Sequence, residues 1–137
     1  MPDIVIHALV SAAYAALAWH FWNSRWRAPR AEAPGGMAGW ERLALLAIIV
    51  VHGGLAARDV FFAPELRFGF AQALSVTFWL GVVIYWVESL FLRLDGFEPL
   101  ILPLAAVAVP LPLAFPGLAR PGLAASIEFK LHMLLAM

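Results

Sequence analysis

Long apolar runs dominate this sequence and set what it can fold into. A helix crosses a bilayer with about 20 mostly apolar residues, because it rises about 1.5 Å per residue through a hydrocarbon core about 30 Å thick. Four runs approach that length, at about Ile4–Trp22, Leu43–Ala57, Ala71–Leu92 and Leu100–Phe115. A fifth run starts at Phe129 and stops after nine residues. We therefore predict an all-α fold, a polytopic transmembrane helical bundle with four full spans and the start of a fifth.

The composition agrees with lipid contact and excludes several functions. Hydrophobic residues make up 64% of the chain and charged residues 13%, whereas a soluble domain is about half apolar and a quarter charged. The nine basic residues are balanced by nine acidic ones and form no long basic stripe, so nucleic acid is not an expected partner. The absence of cysteine excludes disulfides, thiolate metal sites and covalent attachment of c-type haem by this chain.

The arginines after the first run predict the orientation of the chain. That run begins with an acidic residue, Asp3, and its arginines follow the apolar core, which indicates a retained helix and not a cleaved signal peptide. The loop "SRWRAPRAEAPGGMAGWER" carries Arg25, Arg27, Arg30 and, at its far end, Arg42. Because positively charged loops stay on the cytoplasmic side, we expect the N-terminus to lie outside.

The fourth run contains Pro103, Pro110 and Pro112. A proline inside a helix removes an N–H donor and disturbs the preceding turn, so we expect this helix to be kinked or broken. A membrane tolerates such a break only where neighbouring protein covers the freed carbonyls.

Two histidines are the strongest candidates for chemistry, because ionisable groups at membrane depth are costly and usually functional. His52 comes six residues before Arg58 on a helix running outward, and His132 comes four residues after Glu128 on a helix running inward. Both imidazoles are therefore expected at a similar height in the outer third of the membrane. Such a pair suits one metal centre, and neutral imidazole is the usual proximal ligand of haem iron. The alternative is that each histidine only hydrogen-bonds a neighbouring helix.

The other ionisable groups have simpler interpretations. His7 and His20 are close to the ends of the first run, where water is near, so we expect interfacial roles for both. Glu88 is near the end of the third run and is expected to reach the membrane surface or pair with Arg93.

Small and aromatic residues mark two helix faces. Gly53 and Gly54 follow His52 directly, and this patch admits either another helix or a flat ligand. In both cases we expect neither glycine to tolerate added bulk. Gln72, Trp79 and Trp86 are spaced by seven and share one face, which either lines a cofactor or packs against a neighbouring helix.

No catalytic signature appears in the sequence. It has no Gly-rich phosphate loop, HExxH pair, serine or cysteine nucleophile arrangement, or paired catalytic carboxylates. We therefore predict that the protein is not an enzyme.

The succession of segments resembles a known family. "VVHGGLAARDVFF", then the stretch from "LRFGFAQ" to "LAFPG", then "FKLHMLLAM" are together similar to the N-terminal half of the CcsA-like cytochrome c assembly family, in particular its YpjD and HemX-like branch. The likeness covers nearly the whole chain and rests on the order of segments. One difference is that the tryptophan-rich WWD segment of the better-studied haem-handling members is absent from these residues.

The resemblance implies a multi-pass protein of the bacterial inner membrane that handles haem during c-type cytochrome maturation. In this interpretation residues 1–137 form a single transmembrane domain, the N-terminal part of a longer protein. His52 and His132 match intramembrane histidines of the family and are candidate axial ligands of haem, with Trp79 and Trp86 lining the cofactor. Membrane lipid and cytochrome c maturation proteins are the expected partners.

Three functions remain open at the level of sequence. The preferred one is a haem-binding or haem-delivery accessory factor in c-type cytochrome assembly. The second is a non-catalytic membrane scaffold or interaction subunit without haem, whose histidines pair helices. The third is one half of a transporter, in which the proline-broken fourth run marks the substrate path.

Overall fold

Helices form most of the chain that the computed structural model describes, which is residues 2–27, 36–58, 66–92, 96–120 and 126–135. In chain order the helices are α1 (Pro2–Phe21), α2 (Gly39–Ala57), α3 (Phe70–Glu88), α4 (Glu98–Ala108), α5 (Leu111–Ala114) and α6 (Ile127–Leu135). A π-helical turn, Trp22–Trp26, extends α1, and two short strands, β1 (Leu66–Phe68) and β2 (Leu118–Arg120), complete the described elements.

Three of these helical segments are long and apolar enough to cross a membrane. They are Asp3–Trp26, Gly39–Ala57 and Phe70–Glu88, and they match the first three predicted spans. The fourth apolar run gives a shorter helical segment, Glu98–Ala114. Helix length therefore supports three spans, and the fourth full span stays a prediction. The fifth run forms α6, whose nine residues are too few for a bilayer.

The fourth run is divided by its prolines. Helix α4 ends at Ala108 and α5 begins at Leu111, with Pro110 in the break between them. Because Pro110 has no N–H, the carbonyl of Ala106 loses its donor four residues later. The hydroxyl of Ser11 on α1 donates to that carbonyl at 2.6 Å. A neighbouring helix therefore supplies the hydrogen bond that the proline removes.

The core lies where α1 to α4 meet. Helix α1 packs chiefly on α4, α4 on α3, α3 on α2, and α2 on α1. Fully buried side chains in this core include Tyr14, Leu45, Val82 and Leu102. The outward faces are also apolar, and large side chains on all four helices are more than half exposed, among them Leu9, Val50, Ile84 and Val107. Helices that are apolar all round need a hydrocarbon environment, so these faces are suited to lipid.

Two strands were not foreseen in the all-α prediction. β1 and β2 pair antiparallel, with Leu66 opposite Arg120 and Phe68 opposite Leu118. The backbone segments next to the two strands are closely packed. A Cβ on Gly117 would overlap the backbone at Phe68 and lie 2.6 Å from the nitrogen of Gly69. The strand pair ties the start of α3 to the chain that follows α5.

Candidate functional site

His52 lies at the centre of a buried polar group contributed by three helices. Its side chain is on α2, and the residue is 1% exposed. Its Nδ1 is 3.3 Å from the hydroxyl of Tyr14 on α1, and its Nε2 is 3.0 Å from the hydroxyl of Ser75 on α3. We call Tyr14, His52 and Ser75 the hydroxyl–histidine cluster. It joins α1, α2 and α3 away from the ends of these helices.

The cluster uses both nitrogens of the imidazole. A neutral imidazole has one N–H donor and one lone-pair acceptor, and a hydroxyl can complement either of them. In this arrangement the lone pair that a metal would need already faces a protein hydroxyl at hydrogen-bond distance. The geometry is that of an interhelical hydrogen-bond centre.

His132 has a different environment from His52. It is exposed on α6, a helix that has no extended packing against the other described helices. Among the described residues no hydrogen bond or ring contact links the two histidines, and no group of three or more His, Asp or Glu side chains is arranged to hold a metal. The paired-ligand hypothesis therefore stays a prediction, and the structure gives its two members unlike surroundings.

The space beside Gly53 is filled by a tryptophan. A Cβ on Gly53 would lie 2.7 Å from Cζ2 and 2.9 Å from Nε1 of Trp79. A Cβ on Gly54 would meet nothing within 4 Å. The expectation that bulk is excluded holds at Gly53 and is wrong at Gly54, because Gly54 faces outward. The gap beside Gly53 is therefore filled by a side chain of the same chain, Trp79.

Trp79 and Trp86 bind helix α3 to helix α2. The indole N–H of Trp79 donates to the carbonyl of Ile49 at 2.9 Å, and that of Trp86 donates to the carbonyl of Arg42 at 3.0 Å. The two donors are seven residues apart on α3, and their two acceptors are seven residues apart on α2 in the opposite chain direction, so the helices run antiparallel in a matched register. The predicted common face exists, and its two tryptophans contact a helix.

Gln72 continues the same face one heptad earlier. It is buried, and its Oε1 has no hydrogen-bond donor among the described residues. A Cβ on Gly69 would lie 3.4 Å from this oxygen, so the amide lies close to the start of α3, beside the strand pair.

A second polar group, which the sequence analysis missed, lies at the other end of the helices. The side chains of Arg25, Glu41 and Glu98 are 3%, 5% and 1% exposed. Arg25 Nη2 is 2.8 Å from Glu41 Oε2, and its Nε is 3.7 Å from Glu98 Oε1. His20 Nε2 is 2.7 Å from Glu41 Oε1. We call these four residues the arginine–glutamate cluster; it joins α1 with its π-turn, α2 and α4.

Local structure brings each charge of this cluster inward. Arg25 lies on the π-helical turn, with its guanidinium 4.5 Å from the ring centre of Phe21. Glu41 is in the first turn of α2 and accepts a hydrogen bond from the backbone N–H of Ala38 at 2.6 Å. Glu98 begins α4 and accepts from the backbone N–H of Gly96 at 3.0 Å. Both carboxylates thus lie at helix N-termini, where negative charge is favoured.

Sequence signals for this cluster existed but pointed elsewhere. The sequence predicts Arg25 as a charge in a loop, whereas its side chain is buried. Glu98 stands directly before Pro99 at a helix start, a position typical of an N-terminal acid. His20, expected to be interfacial, is partly exposed and bonded to Glu41.

The remaining sequence candidates are more peripheral. His7 is buried, and its Nδ1 donates to the carbonyl of Asp3 at 2.7 Å. Glu88 is exposed at the end of α3, and its suggested partner Arg93 lies outside the described residues.

Comparison of the chain with protein-family models, with curated proteins and with solved structures finds no match.

Proposed function

We propose that this chain is a non-catalytic membrane scaffold or interaction subunit, in which buried polar side chains fix how the helices pack. The observation that carries the proposal is the hydroxyl–histidine cluster: His52 is buried, and its two ring nitrogens lie within hydrogen-bond distance of hydroxyls on two other helices. Inside a membrane the hydrophobic effect does not hold helices together, so packing and interhelical hydrogen bonds must do so.

The tryptophans support the same interpretation. Trp79 and Trp86 each donate to a backbone carbonyl of α2, and Gly53 allows the first of these rings to lie against the helix. Polar and aromatic groups that would otherwise be free for a cofactor are used on helix contacts. Such a bundle presents a fixed outer surface to lipid and to other membrane proteins.

The haem role implied by the resemblance is the rival proposal. The site residues do not fit it well as arranged, because the lone pair of His52 faces a hydroxyl, Trp79 fills the gap at Gly53, and His132 is on α6, which has no extended packing against the other described helices.

One spectrum separates the two proposals. The full chain is purified in detergent from haem-replete cells, and its absorption is recorded beside that of His52→Ala and His132→Ala. The scaffold proposal expects no Soret band. A stoichiometric band in the unmodified protein that both substitutions abolish would establish the haem role instead.

The proposal also includes four membrane crossings with the N-terminus outside, in a bacterial inner membrane. It is supported by the exposed Arg27 after α1 and by the apolar segment Glu98–Ala114. Because the chain has no cysteine, single-cysteine variants report cleanly. In intact cells a membrane-impermeant maleimide should label Ser126→Cys, which follows four crossings, and should leave Arg27→Cys unlabelled.

The opposite pattern would reverse the orientation. Protection of both positions in intact cells, with labelling of both after lysis, would mean that the segment Glu98–Ala114 does not cross.

A further inference from the structure

An open groove of about 390 Å³ runs between α1 and α4. Small residues form much of its floor, and two indole rings lie on its wall. The residues that line it include Ala15, Trp19, Trp22, Pro99, Pro103 and Ala106.

The groove is shaped for hydrocarbon. It flanks α1, one of the three segments able to cross a membrane, and its lining is almost wholly apolar. Ala15 and Ala106 leave depth that larger side chains would fill. Within a bilayer, such an apolar surface is covered by acyl chains or by another apolar helix, because the hydrocarbon core contains no water.

An exposed arginine, Arg27, follows one end of the groove by one π-helical turn. Trp22 lies on the groove and stacks with Trp26, with ring centres 4.8 Å apart. The indole N–H of Trp26 donates to the carbonyl of Gly96, which places this end beside the start of α4. Arg27 follows Trp26 directly and is exposed, and its backbone N–H donates to the carbonyl of Trp22 at 3.0 Å. Tryptophan and arginine together are typical of the level of lipid headgroups.

The charge at this end favours a lipid over a helix. Arg25, two residues before Arg27, is already paired with Glu41 and Glu98, so in the part of this end that the structure describes Arg27 is an exposed cation. A cation near the membrane surface attracts anionic lipid. A phospholipid offers both features at once: an acyl chain for the groove and a phosphate for the guanidinium.

We propose that this groove binds one acyl chain of an anionic phospholipid, with the lipid phosphate at Arg27. The site is separate from both polar clusters and does not depend on whether the chain acts as a scaffold or handles haem.

The test is native mass spectrometry of the full chain in detergent, titrated with phosphatidylglycerol. Ala15→Phe fills the groove, and Ala12→Phe is the matched control, exposed on the same helix but outside the groove lining. We expect the unmodified protein and Ala12→Phe to bind one lipid with equal affinity. Ala15→Phe should bind about tenfold more weakly.

A second variant keeps the test independent of folding. Arg27→Gln changes an exposed side chain and should weaken phosphatidylglycerol binding about fivefold, with a smaller effect on phosphatidylcholine, because the choline cation offsets the charge of its phosphate. Equal lipid binding by Ala15→Phe and Ala12→Phe would overturn the proposal. So would a dimer of the unmodified protein that Ala15→Phe alone converts to monomer, because a second copy would then occupy the groove.

Discussion

The two polar clusters join three helices each, but they use different chemistry at different depths. The hydroxyl–histidine cluster is built from two hydroxyls and an imidazole that lie within α1, α2 and α3, away from the helix ends, and all three residues are buried. The arginine–glutamate cluster is built from formal charges at helix ends, where His20 remains 37% exposed. Charges are far more costly at the centre of a bilayer than near its surface. The comparison indicates that depth determines which polar groups can bind the helices together.

Removal of the central cation should have the largest effect. Arg25→Gln leaves Glu41 and Glu98 buried without their counter-charge. Loss of one partner from a buried ion pair costs about 3 to 5 kcal/mol, and we expect that loss in the free energy of unfolding measured by denaturant in detergent. Arg27→Gln, two residues away and exposed, is the control and should change little. Equal effects of the two substitutions would mean that the cluster contributes no more than surface charge.

The close approach of α2 and α3 should come second. Gly53→Ala would drive a methyl group into Trp79, and overpacking of this kind costs about 1 to 3 kcal/mol. Gly54→Ala meets nothing within 4 Å and should be neutral or slightly stabilising, because alanine favours helix. Thermal unfolding of both variants checks the difference. Similar melting temperatures would show that Trp79 can move aside freely.

Substitution in the hydroxyl–histidine cluster should have the smallest effect on the free energy of unfolding. His52→Leu removes two interhelical hydrogen bonds, and such bonds in membranes are worth on average about 0.6 kcal/mol each, so we expect a loss of about 1 kcal/mol. The triple variant Tyr14→Phe, His52→Leu, Ser75→Ala leaves no unpaired polar group and should regain part of that loss. The free energy of unfolding of the single and triple variants measures this. A loss as large as that of Arg25→Gln would remove the distinction between the clusters.

The sequence predicted the helices well, because their signal is local. The apolar runs predicted at Leu43–Ala57 and Ala71–Leu92 correspond to α2 (Gly39–Ala57) and α3 (Phe70–Glu88). The heptad spacing of Trp79 and Trp86 also correctly indicated a shared face. These features depend on residues within one or two turns of each other.

The partners of the buried polar groups were not predictable in the same way. His52 is 38 residues from Tyr14 and 23 from Ser75, and only helix packing brings them together. The rule that places arginines on the cytoplasmic side counts charges and takes no account of burial, so Arg25 was assigned to a loop. The sequence predicts the depth of His52 in the membrane. It does not predict the two hydroxyl partners, because they lie on other helices and residue spacing within one helix carries no information about them.

The bond between Ser11 and the carbonyl of Ala106 has a consequence for assembly in the membrane. If the segment Glu98–Ala114 crosses the membrane as proposed, its Ala106 carbonyl would be unpaired in hydrocarbon until α1 is alongside, at a cost of several kcal/mol. Helix α1 precedes this segment in the chain and is long and apolar enough to be in the bilayer before it. Chain order and hydrogen bonding thus agree, because the helix made earlier supplies the donor that the proline-containing segment lacks.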